Sequence, residues 1–172
     1  MSMKAQSTRS LYVGTLRKTL STVILRTEAV SQMDKKSPGK NVSALLVGEY
    51  ESDRFLVHEV FKKLGWKLLE ARDRRRAMQY LERNEVQVVI TKTDVPNWSW
   101  RRVLNDLRRL TKPPQLIVTS RTADESLWAE VLNVGGYDVM AQPFEPYEVE
   151  RVIASAHRHF DYQPLVMTAS PA

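Results

Sequence analysis

VVITKTDVP, residues Val88 to Pro96, decides how the rest of the chain is read. Val88, Val89 and Ile90 form a β-branched run without helical spacing, which fits a short strand covered on both faces. Lys92 and Asp94 follow it, and Pro96 closes the stretch. In an open α/β sheet, ligands bind just beyond the carboxyl ends of the strands. Lys92 and Asp94 therefore stand where a site belongs.

Working back toward the amino terminus, Lys67 to Ala71 and Ala44 to Val47 read as two further strands. Between them, Val57, Val60, Phe61 and Leu64 lie at i, i+3, i+4 and i+7, with Ser52 as the expected cap and Gly65 as the stop. Asp73 to Arg83 reads as a second helix, with Ala77 and Leu81 inward. Working forward, Val103, Leu107 and Leu110 mark a helix that ends before Pro113. Gln115 to Thr119 is a fourth buried strand, and Thr122 and Glu125 have the spacing of a capping box. The helix that follows carries Leu127, Val131 and Val134 in one stripe, widened by Trp128 and Leu132. Asp138 to Ala141 is a fifth strand. Pro146 opens a last helix, with Val149, Val152, Ile153 and Ala156 inward. Strand and helix thus alternate five times, the pattern of a parallel sheet with helices on both faces.

Charge divides the chain. Residues 1–42 hold eight Lys or Arg against two acids, whereas residues 43–172 hold eighteen of each. The organisation expected is a basic leader (1–42), a neutral domain (43–160) and a tail (161–172). Leu16, Leu20, Val23 and Ile24 allow one amphipathic helix in the leader. Its Arg-rich, acid-poor composition fits either a loose extension or an organelle transit peptide, and Met33 is an alternative natural start. Cysteine is absent, which excludes disulfides and thiolate metal sites. No apolar run approaches the ~20 residues needed to cross a bilayer. A cytoplasmic protein without a membrane partner is expected.

Other chemistry-bearing residues give weaker signals. His58 stands alone, while His157 and His159 point different ways on a helix. Thr119 and Ser120 lack a base partner, which disfavours a hydrolase. Arg74, Arg75 and Arg76, with Arg101, Arg102, Arg108 and Arg109, lie on consecutive helices and could follow a phosphate backbone. Interleaved Asp73, Glu82, Glu85 and Asp106 read instead as an ordinary solvated face. Trp98 and Trp100 are either partner anchors or cover for the end of the sheet.

The order of elements, with LLVGEYESDR, VVITKTDVP, LIVTS and GGYDVMAQPF at these spacings, resembles the receiver domain of bacterial response regulators over residues 43–160. The resemblance implies a flavodoxin-like, doubly wound, five-stranded parallel sheet in the order 2-1-3-4-5, an order shared by flavodoxin-like folds. It also implies a pocket in which two acids after the first strand and one after the third hold Mg²⁺, the last accepting a phosphoryl group. A Thr or Ser after the fourth strand and a Lys after the fifth contact the phosphoryl oxygens. Position by position, the first acid falls on Gly48 and the second on Glu49. The acceptor falls on Lys92, the hydroxyl on Thr119, the lysine on Gln142 and the switching aromatic on Val139.

Those substitutions carry the functional expectation. An ammonium cannot form an acyl phosphate, and Mg²⁺ is ordinarily held through carboxylates, waters and phosphate. With Gly48 and Lys92 in place, no phosphotransfer, metal, cofactor or enzymatic activity is expected. Lys92 instead either reaches Glu49 or Asp94 and neutralises the pocket, or is solvated. The function expected is a receiver-like signalling module acting by protein–protein contact, with a regulatory target or a second copy as partner. Its face would comprise Trp128, Leu132 and Val139, since the resemblance places partners on the fourth helix, fifth strand and fifth helix. The alternatives are a nucleic-acid-associated regulator using the leader and arginine helices, and a phosphoacceptor using Asp94.

Overall fold

Five strands carry the core: β1 (Ser43–Val47), β2 (Lys67–Ala71), β3 (Val88–Lys92), β4 (Gln115–Ser120) and β5 (Asp138–Ala141). The computed structural model describes residues 41–162, without the side chain of Asp94. The leader's helix, its transit-peptide reading and the Met33 start all lie outside those residues. The strands pair in parallel in the order β2-β1-β3-β4-β5, as expected. They alternate with α1 (Arg54–Leu64), α2 (Arg74–Arg83), α3 (Trp100–Leu107), α4 (Glu125–Asn133) and α5 (Pro146–Tyr162).

The period of two along each strand sorts side chains into two layers. Ala44, Leu46, Val88, Ile90, Ile117 and Met140 pack with α1 and α5. Leu45, Val47, Val89, Leu116, Val118 and Val139 pack with α2, α3 and α4. Both faces are thus covered, which is why these strands read as continuous apolar runs. All five residues of β1 are buried, as are Val88 to Thr91 and the whole of β4.

Local chemistry sets the helix ends. Gly65 adopts φ 67, and the Trp66 amide returns to the Phe61 carbonyl at 2.9 Å, closing α1. Asp73 Oδ1 accepts from the Arg76 amide at 2.9 Å, opening α2. Two expected caps differ. At α1 the cap position is Asp53 rather than Ser52. At α4 it is Asp124, whose carboxylate accepts from the Leu127 amide at 2.9 Å, so the Thr122–Glu125 capping box does not form. Asp at this position leaves Glu125 in the first turn, where its charge suits the helix dipole.

Beyond β3 the loop folds into a small hairpin, in which Asp94–Val95 pairs antiparallel with Trp98–Ser99. Pro96 followed by Asn97 at φ 61 is the residue pattern of a type II turn. Trp98 and Trp100 are each 2% exposed and cover the end of the sheet as core. The Trp98 indole donates to Asp106 Oδ2 at 2.9 Å, and Arg74 grips the same carboxylate at 2.8 and 3.2 Å. One carboxylate thereby joins α2, the hairpin and α3.

Candidate functional site

Strand register builds the site. Val47 lies opposite Thr91, Lys92 opposite Thr119, and Thr119 opposite Met140. Gly48, Lys92 and Thr119 therefore stand side by side at the carboxyl end of the sheet, with Gln142 just past β5. The Gln142 amide donates to the Ser120 carbonyl at 2.9 Å, and the Thr93 amide to the Thr119 carbonyl at 3.2 Å. Alternation aims Lys92 and Thr119 toward the α1/α5 layer, the layer that also holds Tyr50 and Phe144.

Gly48 adopts φ +108, a conformation that other residues reach only with strain. A Cβ there would sit 3.4 Å from Val95 Cγ2 and 3.8 Å from Lys92 Cδ. Glu49 is exposed. Lys92 forms no ion pair with Glu49 among the described residues. Its ammonium lies over the Tyr50 ring, 5.0 Å from the centroid. A cation–π contact of this kind contributes about 0.5–1 kcal/mol. The expected alternative partner, Asp94, has its backbone in the hairpin, and its side chain lies outside the described residues.

Tyr50 is a pocket residue that the sequence did not reveal. It is 3% exposed, and its hydroxyl meets Thr119 Oγ1 at 2.9 Å. Burial pushes its phenol well above the ordinary tyrosine range, the Thr119 contact opposes that shift, and the nearby Asp53 charge adds to it. The ring is therefore neutral and packs 5.8 Å from Phe144. Its neighbour Asp53, also buried, accepts from Gln142 Nε2 at 2.7 Å and from the Phe144 amide at 3.0 Å. Asp53 occupies the cap position of α1 without capping it. Its carboxylate instead ties the β1–α1 loop to the β5–α5 loop.

The structure thus brings Gly48, Lys92, Thr119 and Gln142 together around Tyr50 and Asp53. On the expected partner face, Trp128 and Leu132 are half-buried, and the Trp128 indole donates to Asp138 Oδ1 at 3.0 Å. Val139 is 1% exposed and belongs to the core, so it supports that face from beneath rather than presenting surface. Val139 packs inward against the α4 layer, and Asp138 at the start of β5 is reached from α4 by the Trp128 indole.

The remaining polar candidates have local partners. His58 meets Glu70, which Arg54 also holds at 2.9 Å. His157 pairs with Asp161 at 3.3 Å, and the His159 ring lies 5.5 Å from that of Tyr137. Arg101 pairs with Glu130, and Arg108 donates to the Val134 carbonyl. Among the described residues no three His, Cys, Asp or Glu converge as a metal-binding group. Nor is any described helix long and apolar enough to cross a membrane.

Comparison with known proteins agrees with this architecture. The family model described as the response regulator receiver domain matches residues 44–154. An uncharacterised transcriptional regulatory protein of Bacillus subtilis, YrkP, is 33% identical over 122 residues, which are 69% of this chain and 51% of that protein. The chain spans about half the length of this curated relative. Among solved structures, the signal receiver domain of an HD domain-containing protein from Pseudomonas fluorescens aligns with a TM-score of 0.63 at 23% identity, covering 72% of this chain and 99% of the other. A chemotaxis response regulator of Vibrio cholerae aligns with a TM-score of 0.59 at 18% identity, covering 67% of this chain and 98% of the other.

Proposed function

This chain belongs to the response regulator receiver domain family, and from that membership we propose a signalling module that works by protein–protein contact without aspartate phosphorylation. The observation that carries the reading is the Lys92 ammonium lying over Tyr50, at the position that the resemblance gives to the acceptor. Three further features support it. Gly48 contributes no carboxylate and has a backbone that resists one. Glu49 is exposed. Gln142 supplies no charge for a phosphoryl group and is held by Asp53. Mg²⁺ takes oxygen ligands, usually one or two carboxylates beside phosphate and water, so this donor set does not fit it. The partner face is assigned to α4 and β5, where Trp128 and Leu132 keep partial exposure over buried Val139. The test is incubation of the full chain with acetyl phosphate and Mg²⁺, read by intact mass. An unchanged mass is expected. A phosphorylated species mapping to Asp94 or Glu49 overturns the reading in favour of an atypical acceptor.

One observation favours a second reading. Helices α2 and α3, with the turn to Leu110, hold eight arginines against Glu82 and Asp106, whereas the other described residues hold ten Lys or Arg against sixteen acids. A domain without net charge therefore concentrates its arginines on α2 and α3, which the Arg74–Asp106 contact joins. Arginine suits bidentate phosphate contact. A nucleic-acid-associated regulator would use exposed Arg75, Arg102 and Arg109 here. A gel shift with duplex DNA across salt concentrations tests it. Removing one phosphate-binding arginine should lower the log–log salt slope by about one. Binding unaffected by Arg75, Arg102 and Arg109→Ser together removes this reading.

A further inference from the structure

We propose that Tyr50 is the pocket's own internal ligand, a side chain that holds Thr119 and the loop after β4 in one arrangement. The proposal rests on the reading that this pocket takes no phosphoryl group, and it adds what takes that group's place. Thr119 keeps the residue type that the resemblance assigns to phosphoryl contact, yet its hydroxyl already has a partner in Tyr50. The contact is buried on both sides, since Thr119 is 0% and Tyr50 3% exposed. Severing it leaves a desolvated hydroxyl without a partner.

Every loop around the pocket is tied in the same arrangement. Asp53 fixes the loop after β5 through Gln142 Nε2 and the Phe144 amide. Phe144 packs against the Tyr50 ring from one direction, and Lys92 lies over that ring. Asp106 fixes the hairpin after β3 through Trp98. After β4, Ser120 Oγ accepts from the Thr122 amide at 3.1 Å. A domain that switches needs two arrangements of such loops with comparable free energy. Here Tyr50 fills the central position in one of them, so the surfaces joined to these loops are presented in a single form.

Hydrogen exchange and relaxation dispersion on the full chain test this. The informative probes are the Thr93 and Gln142 amides, which bond to the Thr119 and Ser120 carbonyls. Tyr50→Phe removes the hydroxyl and keeps the ring, and Thr119→Val removes the same contact from the other end. Either variant should speed exchange at both probes about five-fold, the factor for one hydrogen bond of about 1 kcal/mol, and introduce millisecond exchange absent from the wild type. Ile117→Val, a core change of similar global cost, should leave the probes in step with the rest of the sheet. Exchange that stays unchanged in both variants, or that matches the Ile117→Val pattern, overturns the proposal. The acetyl phosphate experiment separates it from the functional reading. Labelling of the wild type sinks that reading whatever the exchange rates, whereas an unlabelled wild type with unchanged probes sinks only the internal ligand.

Discussion

Against the positions that the receiver resemblance assigns, the two sides of the pocket differ in kind. On the side where acids would hold a metal, the groups are replaced: Gly48 has no side chain, and Lys92 carries the opposite charge. On the side where a hydroxyl and a lysine would hold phosphoryl oxygens, the groups are re-engaged. Thr119 remains but is bonded to Tyr50, and Gln142 is neutral but bonded to Asp53. On the proposed reading, a phosphorylation site is lost in two ways, by removing charge and by occupying what is left. The second also stabilises the fold, because each re-engaged group is buried or half-buried and satisfied.

Replacing Tyr50 with Ala breaks this comparison most severely. It opens a cavity between Thr119, Phe144 and Lys92, and urea unfolding should show a loss of about 3–5 kcal/mol, the range for truncating a large core aromatic. A loss under about 1 kcal/mol would mean that the phosphoryl side is not filled. Asp53→Ala is next. It strands the Gln142 amide and the Phe144 N–H, so a loss of about 2 kcal/mol is expected. Ser52→Ala, one residue earlier, should change stability by less than about 0.5 kcal/mol.

A control outside the pocket sharpens the contrast through pH. Hydrogen bonding from Arg74 holds the Asp106 carboxyl below the ordinary aspartate range, against the effect of burial and with help from the Trp98 indole. A depressed folded-state pKa contributes stability above the unfolded value and loses it as pH falls through the folded one. The melting-temperature gap between wild type and Asp106→Asn should therefore be full at neutral pH and shrink in acid below the usual aspartate range. A gap independent of pH would contradict the assignment. Among the pocket substitutions, Lys92→Ala should have the smallest effect, above only the Ser52→Ala control. Its cation–π contact limits the loss to about 1 kcal/mol, and a larger loss would indicate an additional ion pair.

Much of this was legible in the residues. The largely apolar runs at Ala44–Val47, Val88–Ile90 and Gln115–Thr119 located three strands because burial on both faces leaves no polar alternation to confuse them. Gly48, Lys92, Thr119 and Gln142 could be placed because the receiver resemblance assigns each a position at a strand end. Tyr50 and Asp53 could not. Both lie in a loop, where strand parity no longer says which way a side chain points. Asp53 bonds across 89 and 91 residues, a range that no local periodicity reports. Ser52 was the expected cap of α1, but the chain places Asp53 at that position, and residue type alone does not separate the two. Trp98 and Trp100 were ambiguous for a related reason, since an aromatic beside a strand end can cover the sheet or face a partner. The hairpin closed by Pro96 and Asn97 decides for cover.

The claim that matters most is that this pocket is closed to the metal and phosphoryl pair. The direct measurement is a titration of the full chain with Mg²⁺ and beryllofluoride, followed through the amide resonances of Thr93, Thr119 and Ser120. No saturable shift is expected at any of the three. Saturable shifts at Thr119 and Ser120 that require both Mg²⁺ and beryllofluoride would contradict that claim.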